Sequence, residues 1–112
     1  MKNILCAIFV LVASFVYSQD VTVLQINAEW NKKNNYDLSN ITGATVKFSY
    51  LKDQPNDVQN SIMAVPVIVI MDQTGRVRMQ YVADISLQIK ATNLEIQNTV
   101  DRLKRSRRAS TN

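Results

Sequence analysis

The sequence predicts an α/β domain with a mixed central sheet of about four strands and helices on both faces. Three observations lead there. The apolar, β-branched run "VTVLQIN" (21–27) precedes a polar stretch and then an alternating strand, the order of a parallel β-α-β unit. Farther on, two apolar runs are joined by Asp72-Gln73-Thr74-Gly75, the pattern of an antiparallel hairpin. An amphipathic helix then follows, with Leu94, Ile96, Val100 and Leu103 at helical spacing.

Ahead of the domain, Lys2 is followed by the apolar run Ile4 to Val16 and then by small or polar residues. This is the pattern of a secretory signal peptide over residues 1–18, short for a membrane span, with cleavage expected after Ser18 and Val16 at the −3 position. Cys6 lies inside the apolar run. The preceding Asn3-Ile4-Leu5 lacks the small residue that a lipoprotein signal needs. The expected product is an exported domain, periplasmic or secreted, of single-domain length.

Cys6 is the only cysteine and the chain has no histidine, so the exported part would hold neither thiol nor imidazole. Disulfide exchange and a cysteine nucleophile are thereby excluded, as are the usual zinc sites and a serine–histidine arrangement. Only two glutamates occur, Glu29 and Glu95, and no paired acidic motif accompanies them. No cofactor and no metal is expected.

Within the domain, residues 21–27 read as a strand. A short helix is expected from Ala28 to about Ile41, although its asparagines favour caps and loops, and Gly43 ends it. "ATVKFSYL" (44–51) alternates as a half-buried strand, and "KDQPND" reads as a turn. A short helix is expected over 56–63 with Asn56 or Asp57 as its cap. "VPVIVIMD" is continuously apolar, as a strand buried on both faces would be, and "RVRMQYV" returns from the turn. "ADISLQIKA" alternates at Ile85, Leu87 and Ile89 and suggests an irregular or strand-like extension. Thr92 with Glu95 forms a capping box for the last helix.

The net charge of +4 is unevenly spread. Between Asp20 and Asp101 seven basic residues face nine acidic ones, so the positive balance comes from "RLKRSRR" (102–108). The domain is expected to end near Leu103, with a basic, disordered tail over 104–112. That run could meet phosphates or anionic lipid headgroups, and Arg102 to Arg105 also fits a dibasic processing site. Nucleic acid is a poor expectation for an exported protein. Asn40-Ile41-Thr42 is a glycosylation sequon in a eukaryotic secretory route.

The segment "NAEWNKKN" resembles "WAEWCGPC" of the thioredoxin-like fold family, matching at Ala28, Glu29 and Trp30. "AVPVIVIMDQTGRV" resembles the family's stretch from its cis-proline, here Pro66, through the hairpin, and the closing helix matches as well. The resemblance runs from Val21 to Leu103. It also marks departures: Asn31 and Asn34 stand at the two redox cysteines, Lys32 and Lys33 replace Gly-Pro, and Asn27 stands at an aromatic position. Gln25 occupies the place of the buried acid. Trp30 to Pro66 is tighter than usual, so a shortened helix is expected after the motif.

An amide has no redox couple and does not titrate near neutral pH, so the resemblance implies a redox-inactive member. What it leaves is a peptide-binding groove in which Val65, before the proline, offers its backbone groups to an extended peptide. Trp30 could anchor a partner or pack over the helix start. Lys32 and Lys33 could draw an acidic ligand or be simply solvated. The expected function is therefore a protein- or peptide-binding accessory module. A thiol-independent enzyme on the same fold and a carrier for the basic tail are the alternatives.

Overall fold

In the computed structural model, residues 20–110 are described, with side chains through Ser106. The expected signal peptide lies outside them. Four strands, β1 (Thr22–Asn27), β2 (Thr45–Tyr50), β3 (Val67–Met71) and β4 (Val77–Val82), form one sheet in the order β2-β1-β3-β4. β1 and β2 are parallel, Thr22 pairing with Thr45, whereas β3 runs antiparallel to both β1 and β4. Helix α1 (Asn56–Ser61) precedes β3, and α2 (Asn93–Ser110) follows β4. The chain is thus α/β with a mixed four-stranded sheet.

Alternation along the two central strands splits the core in two. Val21 and Val23 of the first run join Ile68 and Ile70 on one face, under Ile96, Val100 and Leu103 of α2. Leu24 and Ile26 join Val67, Val69 and Met71 on the other, against Val58 of α1. The β3 run is continuously apolar because it is buried on two sides, and β1, buried on both as well, carries Thr22, Gln25 and Asn27 among its aliphatics. Each fully buried aliphatic contributes about 1.5–3 kcal/mol relative to exposure.

Three local expectations need correction, and a fourth is resolved. Instead of a helix over 28–41 there is a six-residue 3₁₀ segment, Glu29–Asn34, with Asn31 off helical geometry (φ −112°, ψ 17°). The cause is side-chain competition: Asn27 Nδ2 donates to the Asn31 carbonyl, which a continuing α-helix would need. Helix α1 starts one residue after Pro55, and neither Asn56 nor Asp57 caps it; Gln59 N donates instead to the Pro55 carbonyl at 3.0 Å. Of the irregular and strand-like readings of the stretch after β4, the irregular one holds: it is a closed turn in which Leu87 adopts φ +62°. Finally, the backbone of α2 stays helical through Ser110, past Leu103. At its start, Glu95 N donates to Thr92 Oγ1 at 3.1 Å, half of the expected capping box.

The hairpin turn is organised by Asp72, whose side chain is 11 % exposed. Its Oδ1 accepts from Thr74 N, Thr74 Oγ1 and Arg76 N, and its Oδ2 accepts from Arg78. Gly75 supplies the positive φ (+85°) that closes the loop. Burial pushes the carboxyl up, but those hydrogen bonds outweigh it and hold the Asp72 pKa below its ordinary value. A carboxyl depressed on folding contributes stability that is complete above the unfolded pKa of about 4 and is lost as pH falls through the lower native value. Asp72→Ala is expected to lower stability at pH 7 by about 1–2 kcal/mol, read from the urea midpoint. The gap from wild type should narrow below pH ~4; an undiminished gap at pH 2 would show that the ionised carboxylate is not the source.

Candidate functional site

Strand directions gather four loops at one end of the sheet. Asn27 pairs with Tyr50, Ile26 with Val67, and Val67 with Val82, so the ends of β1, β2 and β4 meet the start of β3. The 3₁₀ segment, the residues before β3 and the turn after β4 therefore converge.

Their meeting point is built from amides. Asn27, the last residue of β1, is fully buried, and its Oδ1 accepts from Ala28 N (2.8 Å). Asn31, 2 % exposed, sends Nδ2 to Asn27 Oδ1 (3.2 Å), to the Val65 carbonyl (3.3 Å) and to the Leu87 carbonyl (3.3 Å). One amide thus ties together three loops far apart in sequence. With two N–H groups for three acceptors, one of these bonds is shared.

The side chains form a head-to-tail chain. Gln88 donates to Asn34 Oδ1 at 3.2 Å, Asn34 to Asn31 Oδ1 at 2.7 Å, Asn31 to Asn27 Oδ1, and Asn27 to Asn35 Oδ1 at 2.6 Å. Such aligned dipoles strengthen one another where water is excluded. A carboxylate could not replace a middle member, since each must donate and accept at once.

Leu87 reaches the site through a left-handed backbone, which costs a non-glycine residue about 1–2 kcal/mol. The turn around it offsets this: Leu87 N donates to the Asp84 carbonyl (2.9 Å) and Asp84 N to the Gln88 carbonyl (3.1 Å). The Asp84 carboxylate accepts from the Ser86 hydroxyl and from Ser86 N, and these bonds lower its pKa.

Several large apolar residues of the converging segments are exposed, beside charged and polar ones such as Lys32, Lys33 and Asp84. Trp30 is 70 % exposed and Met63 92 %, Ile85 is fully exposed, and Val82 is half exposed. Each lies in one of the converging segments. Trp30 therefore faces solvent.

Of the other expected residues, Val65 and Pro66 are buried and joined by a cis peptide bond. Val65 presents a carbonyl already engaged by Asn31. Lys32 and Lys33 are exposed, and neither enters the amide chain. Gln25 stands apart from it: Nε2 donates to the Tyr36 carbonyl (2.9 Å) while Oε1 accepts from Tyr36 N (2.7 Å). A carboxylate there could form only the second bond. Asn35, Leu87 and Gln88 are the members that sequence reasoning missed, and Asn27 was noted only as a departure at an aromatic position, although Asn31 follows Asn27 by four residues and Asn34 and Asn35 follow Asn31 by three and four.

The irregular chain after the 3₁₀ segment has a second effect. It leaves Val46 and Phe48 of edge strand β2 partly uncovered and opens a cleft of ≈ 450 Å³ bordered by Tyr36, Leu38 and Ile41. Among the described residues no group of His, Cys, Asp and Glu could hold a metal ion, and no helix is long and apolar enough to cross a membrane. No protein-family model matches the chain, and no curated protein matches it.

Proposed function

We propose that this chain is an exported, thioredoxin-like domain without redox chemistry that binds a protein or extended peptide at the apolar rim around Asn31. The observation that carries the reading is the Asn31–Val65 hydrogen bond. It brings the place of the first redox cysteine against the residue before Pro66, as the resemblance requires, with a neutral amide as the contacting group. The strand order and the cis Val65–Pro66 bond are compatible with the same alignment.

The chemistry of the site favours binding over catalysis. Its buried side chains are primary amides, which neither titrate near neutral pH nor attack a carbonyl. Trp30, Met63 and Ile85 supply large apolar area around a rigid centre, the arrangement in which a few anchors carry most of a binding energy. A peptide N–H can take the second lone pair of the Val65 carbonyl, and its side chains can rest on the rim.

Two measurements test this. The protein should fail to reduce insulin disulfides, while the double variant Asn31→Cys/Asn34→Cys should close a disulfide under mild oxidation, because the two side chains already touch at 2.7 Å. Two free thiols after oxidation, in a folded variant, would defeat the alignment. Capture of partners from the exported fraction should succeed with wild type and fail with Trp30→Ala; equal capture by both would remove the rim from the interface.

A further inference from the structure

The end of the sheet opposite the amide site carries a different character. Thr22 pairs with both Thr45 and Met71, and Met71 pairs with Val77, so the starts of β1, β2 and β4 and the 72–76 turn lie together. Lys104 Nζ donates to the Gly43 carbonyl at 2.8 Å, which brings the last turns of α2 over the same end. Arg76, Arg78, Arg102 and Arg105 are exposed there, with Lys104 among them, and Arg107 and Arg108 follow on the same helix. Three acids, Asp20, Asp72 and Asp101, share this end with the five cations whose side chains are described. Asp72 is engaged by the turn and Arg78, and Asp101 accepts from Gln97.

We infer that this basic end is a docking surface for an anionic phospholipid bilayer, which holds the domain with its Trp30 rim facing away from the lipid. Charge complementarity is the argument: cations held close to a bilayer surface bind acidic headgroups additively. Nucleic acid fits less well, because the exposed tryptophan that could stack on bases sits at the other end of the sheet. The exposed side chains named at the basic end are cationic and none is a large apolar group, so attachment is electrostatic and lies on the surface.

The test uses the 112-residue chain and vesicles of phosphatidylcholine, alone or with phosphatidylglycerol. The apolar leader contributes to both compositions alike, so their ratio reads the basic end. Affinity should be at least tenfold higher for the anionic vesicles, and raising salt to about 0.5 M should erase the difference. Arg102→Glu/Arg105→Glu, at exposed positions, should reduce the ratio about 25-fold or to unity. Lys32→Glu/Lys33→Glu, at the opposite end, should leave it unchanged. Trp30 is the only tryptophan, and acrylamide should quench its fluorescence equally with and without bound vesicles. Equal binding to both compositions, a loss caused by the Lys32/Lys33 pair, or a shielded Trp30 would each overturn the assignment. So would tighter binding to an oligonucleotide than to the anionic vesicles.

Discussion

Replacing Asn31 by alanine is expected to destabilise the protein by about 3 kcal/mol, a large share of the roughly 5–15 kcal/mol that keeps a domain folded. The side chain is buried, and its removal strands the Val65 and Leu87 carbonyls and Asn34 Nδ2 together. Each buried polar group left without a partner costs about 1–3 kcal/mol, partly recovered if water enters. The melting temperature should fall by roughly 10–20 °C. Asn34→Ala, at a partly exposed member of the amide chain, should cost only about 1 kcal/mol. A coupling free energy near zero between Asn31→Ala and Asn27→Ala would mean that the amides act singly rather than as a chain.

Asn31→Asp sharpens the same prediction. It keeps the shape but swaps the donating group for an acceptor, facing Asn27 Oδ1 and two carbonyls. Ionisation there is opposed by burial and by those oxygens, so the native pKa of the new carboxyl lies above its unfolded value. The penalty therefore grows as pH rises through the unfolded pKa of about 4 and levels off above the native one. Asn31→Asp should be less stable than Asn31→Ala at pH 7 and recover toward acid. The opposite ordering at pH 7 would place Asn31 in contact with water.

The pattern of buried strands was legible because it is a local property. "VIVIM" is apolar at consecutive positions and "VTVLQIN" is short, β-branched and largely apolar, as strands covered on both faces are. The hairpin was legible for a similar reason, since Asp72 and Gly75 prescribe a turn by their own chemistry. Other features depend on partners distant in sequence. The helix expected over 28–41 was lost because Asn27 and Asn31 bond to each other and to loops 34 and 56 residues away. Leu87 gives no hint in its type of a left-handed backbone; that conformation is set by Asp84 and by a hydrogen bond to Asn31. The site was thus visible at Asn31, Asn34 and Val65. Its continuation through Asn27, Asn35 and Gln88 needed the fold.

Trp30→Ala should separate binding from stability. The indole is mostly in water, so its removal changes folding free energy by less than about 0.5 kcal/mol. In a complex it would be the largest apolar anchor of the rim, and truncating such an anchor typically costs about 2 kcal/mol or more. Affinity for the captured partner should fall about 30-fold in a calorimetric titration, with an unchanged melting curve. Ile85→Ala should lose less, and Lys32→Ala little, because an exposed charge at the edge of an interface alters association rate more than affinity. The contrast matters because the amide chain and the rim share one segment: Trp30 precedes Asn31 directly, one facing solvent and the other buried. A variant that loosens the centre should weaken binding only by unfolding the rim, whereas Trp30→Ala should weaken it in a fully folded protein. If affinity instead followed the loss of residues 104–112 and ignored Trp30, the interface would lie at the basic end of the sheet.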